Sequence, residues 1–451
     1  MHVQEYQYRL IESVQTALEK YDAELKRINH QVSEFYNFYS VNSTITISSG
    51  CNGSILPGSS SDGTQIWSNP ELGYEEYKAH DHICALFESL KSEGYQVRRS
   101  AYGLETALEV EYTHGSGGRV VAFNAEYDAL PGIGHACGHN LIATSSIAAF
   151  IATCEALKAQ YPDGPGYTVR LLGTPAEESG GGKVQMLDHG AYKDVDACLM
   201  VHPMPMVPDD PELLSVATVL PGGFLANDKV TVTFTGKPAH AAAAPWEGVN
   251  ALDAVVAAYV NISLLRQQIL PTQRIHGVIA HGGDRPNVIP MSASVDYYIR
   301  SPSLKTLKPL TQKVVKCFEA AATATGCKVE FDWGISYADL KTNTPICENY
   351  VTAMRAMGHH TIFDNSGKKG ILAGASTDMG NVTYAVPGFH GMFTIPAEGV
   401  NHTPQFTNGA GSPEGYKRSL ACAAGMAVVA CQILVDDQVA AQVKKDFEKD
   451  E

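Results

Sequence analysis

No run of eighteen consecutive apolar residues occurs in this chain of 451 residues, so nothing in it reads as a bilayer-spanning helix. Basic excess is missing as well. Against 48 acidic residues stand 33 Lys and Arg, a formal net charge of -15, which argues against a nucleic acid or an anionic membrane as partner. The ten cysteines are scattered and never form a Cys-x-x-Cys pair, which excludes a disulfide-dense scaffold and fits a reducing compartment. Residues 1–20 are charged and amphipathic, without the apolar centre of a signal peptide. The expectation is a cytosolic protein. An apolar content of 44% with 18% charge describes a globular chain, and its length is enough for two domains.

Along the chain, apolar positions at helical spacing predict a helix over residues 3–31. Asn37 to Gly63 is rich in Ser, Gly and Asn without periodicity, and is expected to be a disordered insertion. A helix follows from about Glu75 to Glu93. Strands are expected near 106–112, 119–126, 167–174 and 196–202, with helices between them, the alternation of a largely parallel, doubly covered sheet. After residue 222 the pattern changes to strand 230–234, helix 248–265, strands 275–279 and 293–299, helix 304–324 and strand 327–331. That β-α-β-β-α-β order is a ferredoxin-like α+β unit inserted in the chain. The expected division is therefore a catalytic domain of residues 1–222 plus 336–451, and an inserted domain of residues 223–335. A helix over Pro413–Val435 and a charged, solvated tail complete the expectation.

The chemistry gathers around one stretch, Ala125 to Asn140. An apolar strand precedes it and an Ala/Ile-rich helix follows, with Asn140 as the expected N-cap. A strand end feeding a helix start is where open α/β sheets place ligands. Cys137 and His139 flank one glycine, and a thiolate and an imidazole converging on one point suit Zn²⁺ or another borderline divalent ion. A buried free Cys beside a surface His would look the same in isolation. Further on, strand 167–174 runs into Glu177-Glu178 and three glycines. Adjacent carboxylates repel unless a cation is near, so one would ligate metal while the other takes a proton from water. His202 ends the next strand, and His402 lies in a late loop. Cys137, His139, Glu178, His202 and His402 exceed the four ligands of a closed zinc site, which points to two ions sharing a bridge or one site with spare ligands.

These residues sit in Tyr127-Asp128-Ala129-Leu130-Pro131, Cys137-Gly138-His139-Asn140, Pro175-Ala176-Glu177-Glu178, Val201-His202-Pro203, Gly374-Ala375-Ser376-Thr377-Asp378 and Asn401-His402-Thr403. In that order they resemble the aminoacylase–carboxypeptidase amidohydrolases of metallopeptidase family M20, in the Xaa-Arg dipeptidase-like, aminoacylase-1-like subgroup. The resemblance runs from about residue 65 onward. It implies that Cys137 bridges or shares one or two Zn²⁺ ions, with Mn²⁺ or Co²⁺ as alternatives, and that His139, Glu178, His202 and His402 complete the shells. Glu177 would be general base and then general acid, with Asp128 steadying a ligand His. In the inserted domain, His240 would stabilise the oxyanion, and Asn287 and Arg300 would clamp a substrate carboxylate. The implied activity is metal-dependent amide hydrolysis of a dipeptide or N-acyl amino acid with a free carboxylate, of the Xaa-Arg or Xaa-Lys type. The implied assembly is a homodimer through the inserted lid domain, each lid lending its His to the partner's site. Two alternatives stand beside this one: a broad aminoacylase or aminobenzoyl-glutamate-type hydrolase, and a catalytically silent peptide-binding homologue.

Overall fold

Arg119 to Glu126 is Arg-Val-Val-Ala-Phe-Asn-Ala-Glu, buried from Val121 onward. A segment buried on both sides has no polar face, so the chain there forms a central parallel strand. Val121, Phe123 and Ala125 join one apolar layer and Ala122 joins the layer opposite, as the two-residue period of a strand demands. Truncating Phe123 to alanine would cost about 3–5 kcal/mol through the cavity it leaves.

The computed structural model describes residues 3–29, 66–218, 223–363 and 375–449. The expected Asn37–Gly63 insertion lies outside them, as does Gly374. Six strands come first: β1 (Gln96–Arg99), β2 (Leu108–His114), β3 (Arg119–Glu126), β4 (Tyr167–Thr174), β5 (Ala197–Pro205) and β6 (Ser215–Val216). Then come β7 (Ala226–Thr235), β8 (Arg274–His281), β9 (Ser292–Ser301) and β10 (Lys328–Trp333), followed by β11 (Thr361–Ile362) and β12 (Gly388–Ile395).

The first sheet has the order β1-β2-β4-β3-β5-β12-β6-β11. Its four middle strands, β4, β3, β5 and β12, are mutually parallel, so their carboxyl ends share one edge. β1, β2 and the β12–β6 pair run antiparallel, which makes the sheet mixed rather than wholly parallel. Helices Val3–Lys20, His139–Gln160 and Pro413–Val435 pack together on one side. Helices Gly182–Asp188 and Met379–Ala385 cover the other. The helices His139–Gln160 and Pro413–Val435 are long and apolar enough to cross a membrane, but they are largely buried here against protein. All-round apolarity marks a core helix as well as a membrane span.

β7 to β10 form a second sheet, ordered β10-β7-β9-β8 and antiparallel throughout. Helices Ala251–Leu265 and Leu304–Thr325 lie on one face, and the connectivity is the expected ferredoxin-like one. Val230, Val232, Phe234, Val295, Tyr297 and Ile299 bury against those helices. Asn250 and Ser303 cap the helices, each side chain accepting a backbone N–H of the first turn.

Four local expectations are corrected. The helix over 3–31 is two helices, Val3–Lys20 and Asp22–Asn29. Asn140 is not an N-cap. The helix begins at His139 after Gly138, and the buried Asn140 amide donates to Asn29 Oδ1 and the Ala410 carbonyl. β1 was missed because its pattern is nearly all exposed, Gln-Val-Arg-Arg. The tail forms a helix, Asp437–Glu448, because the Asp436 carboxylate caps it and Val443 buries on the body.

Candidate metal centre and active site

Every candidate ligand arises at the shared carboxyl edge of β4, β3, β5 and β12. After β3 the chain turns through Asp128 and reaches Cys137-Gly138-His139. Gly138 holds φ at 82°, and a Cβ there would stand 2.4 Å from Pro203 Cγ, so only glycine lets the flanking side chains turn inward together. His139 Nδ1 lies 2.8 Å from Asp128 Oδ1. The other carboxylate oxygen accepts the Glu178 N–H at 3.0 Å. Asp128 thus orients a histidine and the second glutamate at once.

His202 Nδ1 faces the Pro203 carbonyl at 2.8 Å. A carbonyl only accepts, so Nδ1 carries the proton and the Nε2 lone pair points at Cys137 Sγ, 3.3 Å away. Burial, reinforced by the charge of His139, pushes His202 down to about 4, which keeps it a neutral donor. His402 Nε2 lies 3.4 Å from Glu178 Oε1. Burial lifts Glu178, but the hydrogen bond to His402 and the charge of His139 outweigh it and hold the carboxyl below its usual range.

Three donor triads result: Cys137, His139 and His202; Cys137, Glu178 and His402; and Glu126, His139 and Glu177, each with its donor atoms within 4.8 Å of one another. The first two share the Cys137 sulfur. His139 Nε2 is buried without a hydrogen-bond partner. An orphaned nitrogen beside convergent buried oxygen and sulfur atoms fits borderline divalent ions.

The turn carrying Glu177 is strained and braced. Ala176 sits at φ 56°, a left-handed conformation that alanine adopts only when its surroundings enforce it. The buried Glu76 accepts the Ala176 N–H at 2.8 Å and the Thr106 hydroxyl at 2.7 Å. Tyr337 donates to the Glu177 carbonyl at 2.7 Å, and Tyr74 donates to that of Gly180 at 2.6 Å. His402 is strained likewise, at φ 68°. Burial, then the charges of Glu126 and Glu178, hold the Glu177 carboxyl well above its ordinary range. A raised proton affinity is the direction that favours taking a proton.

Behind this floor lies a buried ionic cluster. The fully buried Lys183 ammonium is 2.5 Å from Glu126 Oε1 and 2.6 Å from Asp378 Oδ1. Asp378 Oδ2 also accepts the Lys183 N–H at 2.9 Å. Glu126 Oε2 stands 3.5 Å from His139 Nε2.

In front opens a cavity of about 470 Å³ lined by Cys137, Glu177, Glu178, His202 and His402 on one wall and by Lys229 and Arg300 of the second sheet on the other. Arg300 Nη1 donates to Ser376 Oγ at 3.0 Å. Cys137, His139, Glu178, His202, His402, Glu177 and Asp128 are therefore brought together, and Arg300 faces them. His240 and Asn287 are not brought there. Both are exposed, lie on adjoining loops joined by the Ala241 N–H to the Asn287 carbonyl at 3.0 Å, and do not line the cavity. Sequence reasoning missed Glu126, Lys183, Glu76, Tyr337, Lys229 and His390. His390, buried in β12, stacks on His202 with ring centroids 5.7 Å apart. One signal was present: Lys183 directly follows the glycine run, and Asp378 closes the Gly374–Asp378 motif.

Residues 122–407 match the sequence profile of peptidase family M20/M25/M40. The chain belongs to family M20. It is a hydrolase, and its similarity to other members extends over most of its length. It is 41% identical over 388 residues to the Xaa-Arg dipeptidase of Mus musculus, covering 85% of this chain and 87% of that protein. One of the two p-aminobenzoyl-glutamate hydrolase polypeptides of Escherichia coli is 36% identical over 284 residues, 59% of this chain and 55% of that one. Among solved structures, the Bacillus subtilis YXEP protein, a dinuclear metal-binding peptidase of family M20, superposes with a TM-score of 0.60 at 20% identity, covering 82% of this M20 chain and 95% of that one.

Proposed function

We propose that this M20 peptidase hydrolyses the amide bond of dipeptides or N-acyl amino acids that end in a free carboxylate, and that dipeptides ending in a basic residue are its preferred class. The observation that carries the reading is the pair of donor triads sharing Cys137, with Glu177 beside them and Arg300 across the cavity. The preference for a basic end is supported by the name of the relatives 40–41% identical over 85% of the chain. Cys137, His139 and His202 would hold one ion, and Cys137, Glu178 and His402 a second; zinc is proposed from the mixed sulfur, nitrogen and oxygen set. When bound, such ions supply Lewis-acid polarisation of the scissile carbonyl and make water more acidic.

The chain's own residues do the rest. Glu177 takes the proton from attacking water and delivers it to the leaving nitrogen. Arg300 orients the substrate through its carboxylate. Asp128 keeps His139 in the tautomer that presents Nε2.

We also propose that a second copy completes the site. His240 and Asn287 face outward, and the same domain exposes Val256, Tyr259, Val260 and Leu264 on one helix and Val278 and Ile279 on edge strand β8. An apolar face beside an open sheet edge suits a two-fold partner. Nine free thiols among the described residues support a reducing, cytosolic location.

A metal-replete screen of dipeptides and N-acyl amino acids, read by amine release, tests the activity. Glu177→Gln should keep its metal and lose at least about a thousandfold in kcat. Normal turnover by that protein, metal-loaded, would end the mechanism. Cys137→Ser should lose metal and activity together, checked by elemental analysis.

A further inference from the structure

Asn227 pairs with Arg300 across β7 and β9, and Lys229 pairs with Tyr298. Residues two apart on a strand share a face, so these four side chains form one patch on the face opposite the two helices. All four line the cavity. The Lys229 ammonium lies 4.1 Å from the centroid of the Tyr337 ring and 5.7 Å from that of Tyr298. Tyr337 is the residue whose hydroxyl holds the Glu177 carbonyl. Lys229 therefore rests on an aromatic shelf tied directly to the proposed base.

Among the described residues no carboxylate forms an ion pair with Lys229, and the carboxylates lining the cavity are Glu177 and Glu178 of the metal wall. An aromatic shelf holds a cation without neutralising it. A half-buried ammonium lacking a counter-ion is costly, and a ligand anion relieves that cost. Burial pushes the Lys229 amine below its usual range, against the opposing pull of the Glu177 and Asp378 charges, which do not contact it. Asn287, which the sequence pairs with Arg300, is exposed and outside this chain's own cavity.

We propose that Lys229 is a second arm of the carboxylate clamp, gripping the free carboxylate of the substrate together with Arg300 of the same chain. The inference rests on the proposed hydrolysis of carboxylate-terminated amides. It adds a substrate-binding residue that lies 4.1 Å from the centroid of the Tyr337 ring, on the same cavity as Glu177. A two-cation clamp also fixes the direction of the substrate: its carboxylate lies toward the second sheet and its amide toward the metal wall.

The test compares a dipeptide ending in arginine with the same dipeptide as its carboxy-terminal amide, using metal-loaded wild type, Lys229→Met and Lys229→Arg. Lys229→Met should lower kcat/KM for the free acid by roughly 10- to 100-fold, mainly through KM, and change the amide less than about twofold. Lys229→Arg should restore most of the loss. Equal losses on acid and amide, or no loss on the acid, would overturn the proposal. Should Lys229→Met fold poorly by its unfolding midpoint, Lys229→Gln is read against the same two substrates by the same criteria. Wild-type turnover of the free acid tests the underlying activity separately. Wild type inert towards the whole metal-replete screen would overturn that activity and this proposal together.

Discussion

The metal wall and the loop of His240 stand at opposite extremes of organisation. At the wall, Asp128, Glu76, Tyr337 and Lys183 each fix a neighbouring group through a buried hydrogen bond or ion pair, and two residues are held in strained conformations. Around His240 the bracing is local and exposed: its Nδ1 accepts the N–H groups of Ala242 and Ala243. A group that must meet the transition state at fixed geometry is locked by its own chain. In the proposed dimer, a group presented to a partner would need only its loop, because docking would supply the rest.

Breaking the locked side should give the largest effect. Lys183→Met leaves Glu126 and Asp378 buried without their cation, and should cost about 3–5 kcal/mol in chemical unfolding. Adding Glu126→Gln should recover part of that, since one of the two stranded charges is removed. A loss under about 0.5 kcal/mol would mean the cluster does not brace the wall. The next effect concerns pH. Burial, then the charge of Asp128, raises Glu76 from 4.5 to about 7. Its contribution to stability is thus fully present below pH 4.5 and lost as pH rises through 7, because the unfolded chain releases the proton more readily. Glu76→Gln should gain stability relative to wild type between pH 4.5 and 8, by up to about 3 kcal/mol. Parallel pH profiles of unfolding for the two proteins would remove that argument.

The smallest effect tests the loop. His240→Ala should shift unfolding by less than about 0.5 kcal/mol, since the side chain is exposed. Co-expressed with Glu177→Ala, it should form mixed dimers in which one site carries both lesions and the other none. With random pairing, about a quarter of wild-type activity returns. Verified mixed dimers no better than the average of their parents would place His240 within its own chain or outside the reaction.

Much of the wall was readable because ligand chemistry needs particular residue types at turns after apolar strands. Cys137, His139, Glu177 and Glu178 follow two such strands, His202 lies near the end of a third, and the sheet order then brings His402 beside them. What escaped notice depends on partners far apart in the chain. Lys183 meets Glu126 and Asp378 only because Gly182 opens a helix under β3 and Asp378 precedes another on the same face. No period or spacing encodes that. Lys229 lies just before the expected strand 230–234, and its meaning came from the cross-strand register with Tyr298 and from the Tyr337 shelf. The tail helix escaped because eleven of its twelve residues are not fully buried, so its sequence reads as solvated.

The position of β12 in the first sheet carries a further consequence. It pairs with β5 along its whole length, yet roughly 180 residues, including the entire second sheet, are translated between them. At ribosomal rates of about 5–20 residues per second, the edge of β5 waits some 10–40 seconds for its neighbour. The inserted unit, local in its contacts and with a core of its own, is free to fold during that interval. His402 emerges only after β12, so of the two triads that share Cys137, the one with His139 and His202 is complete in the chain first.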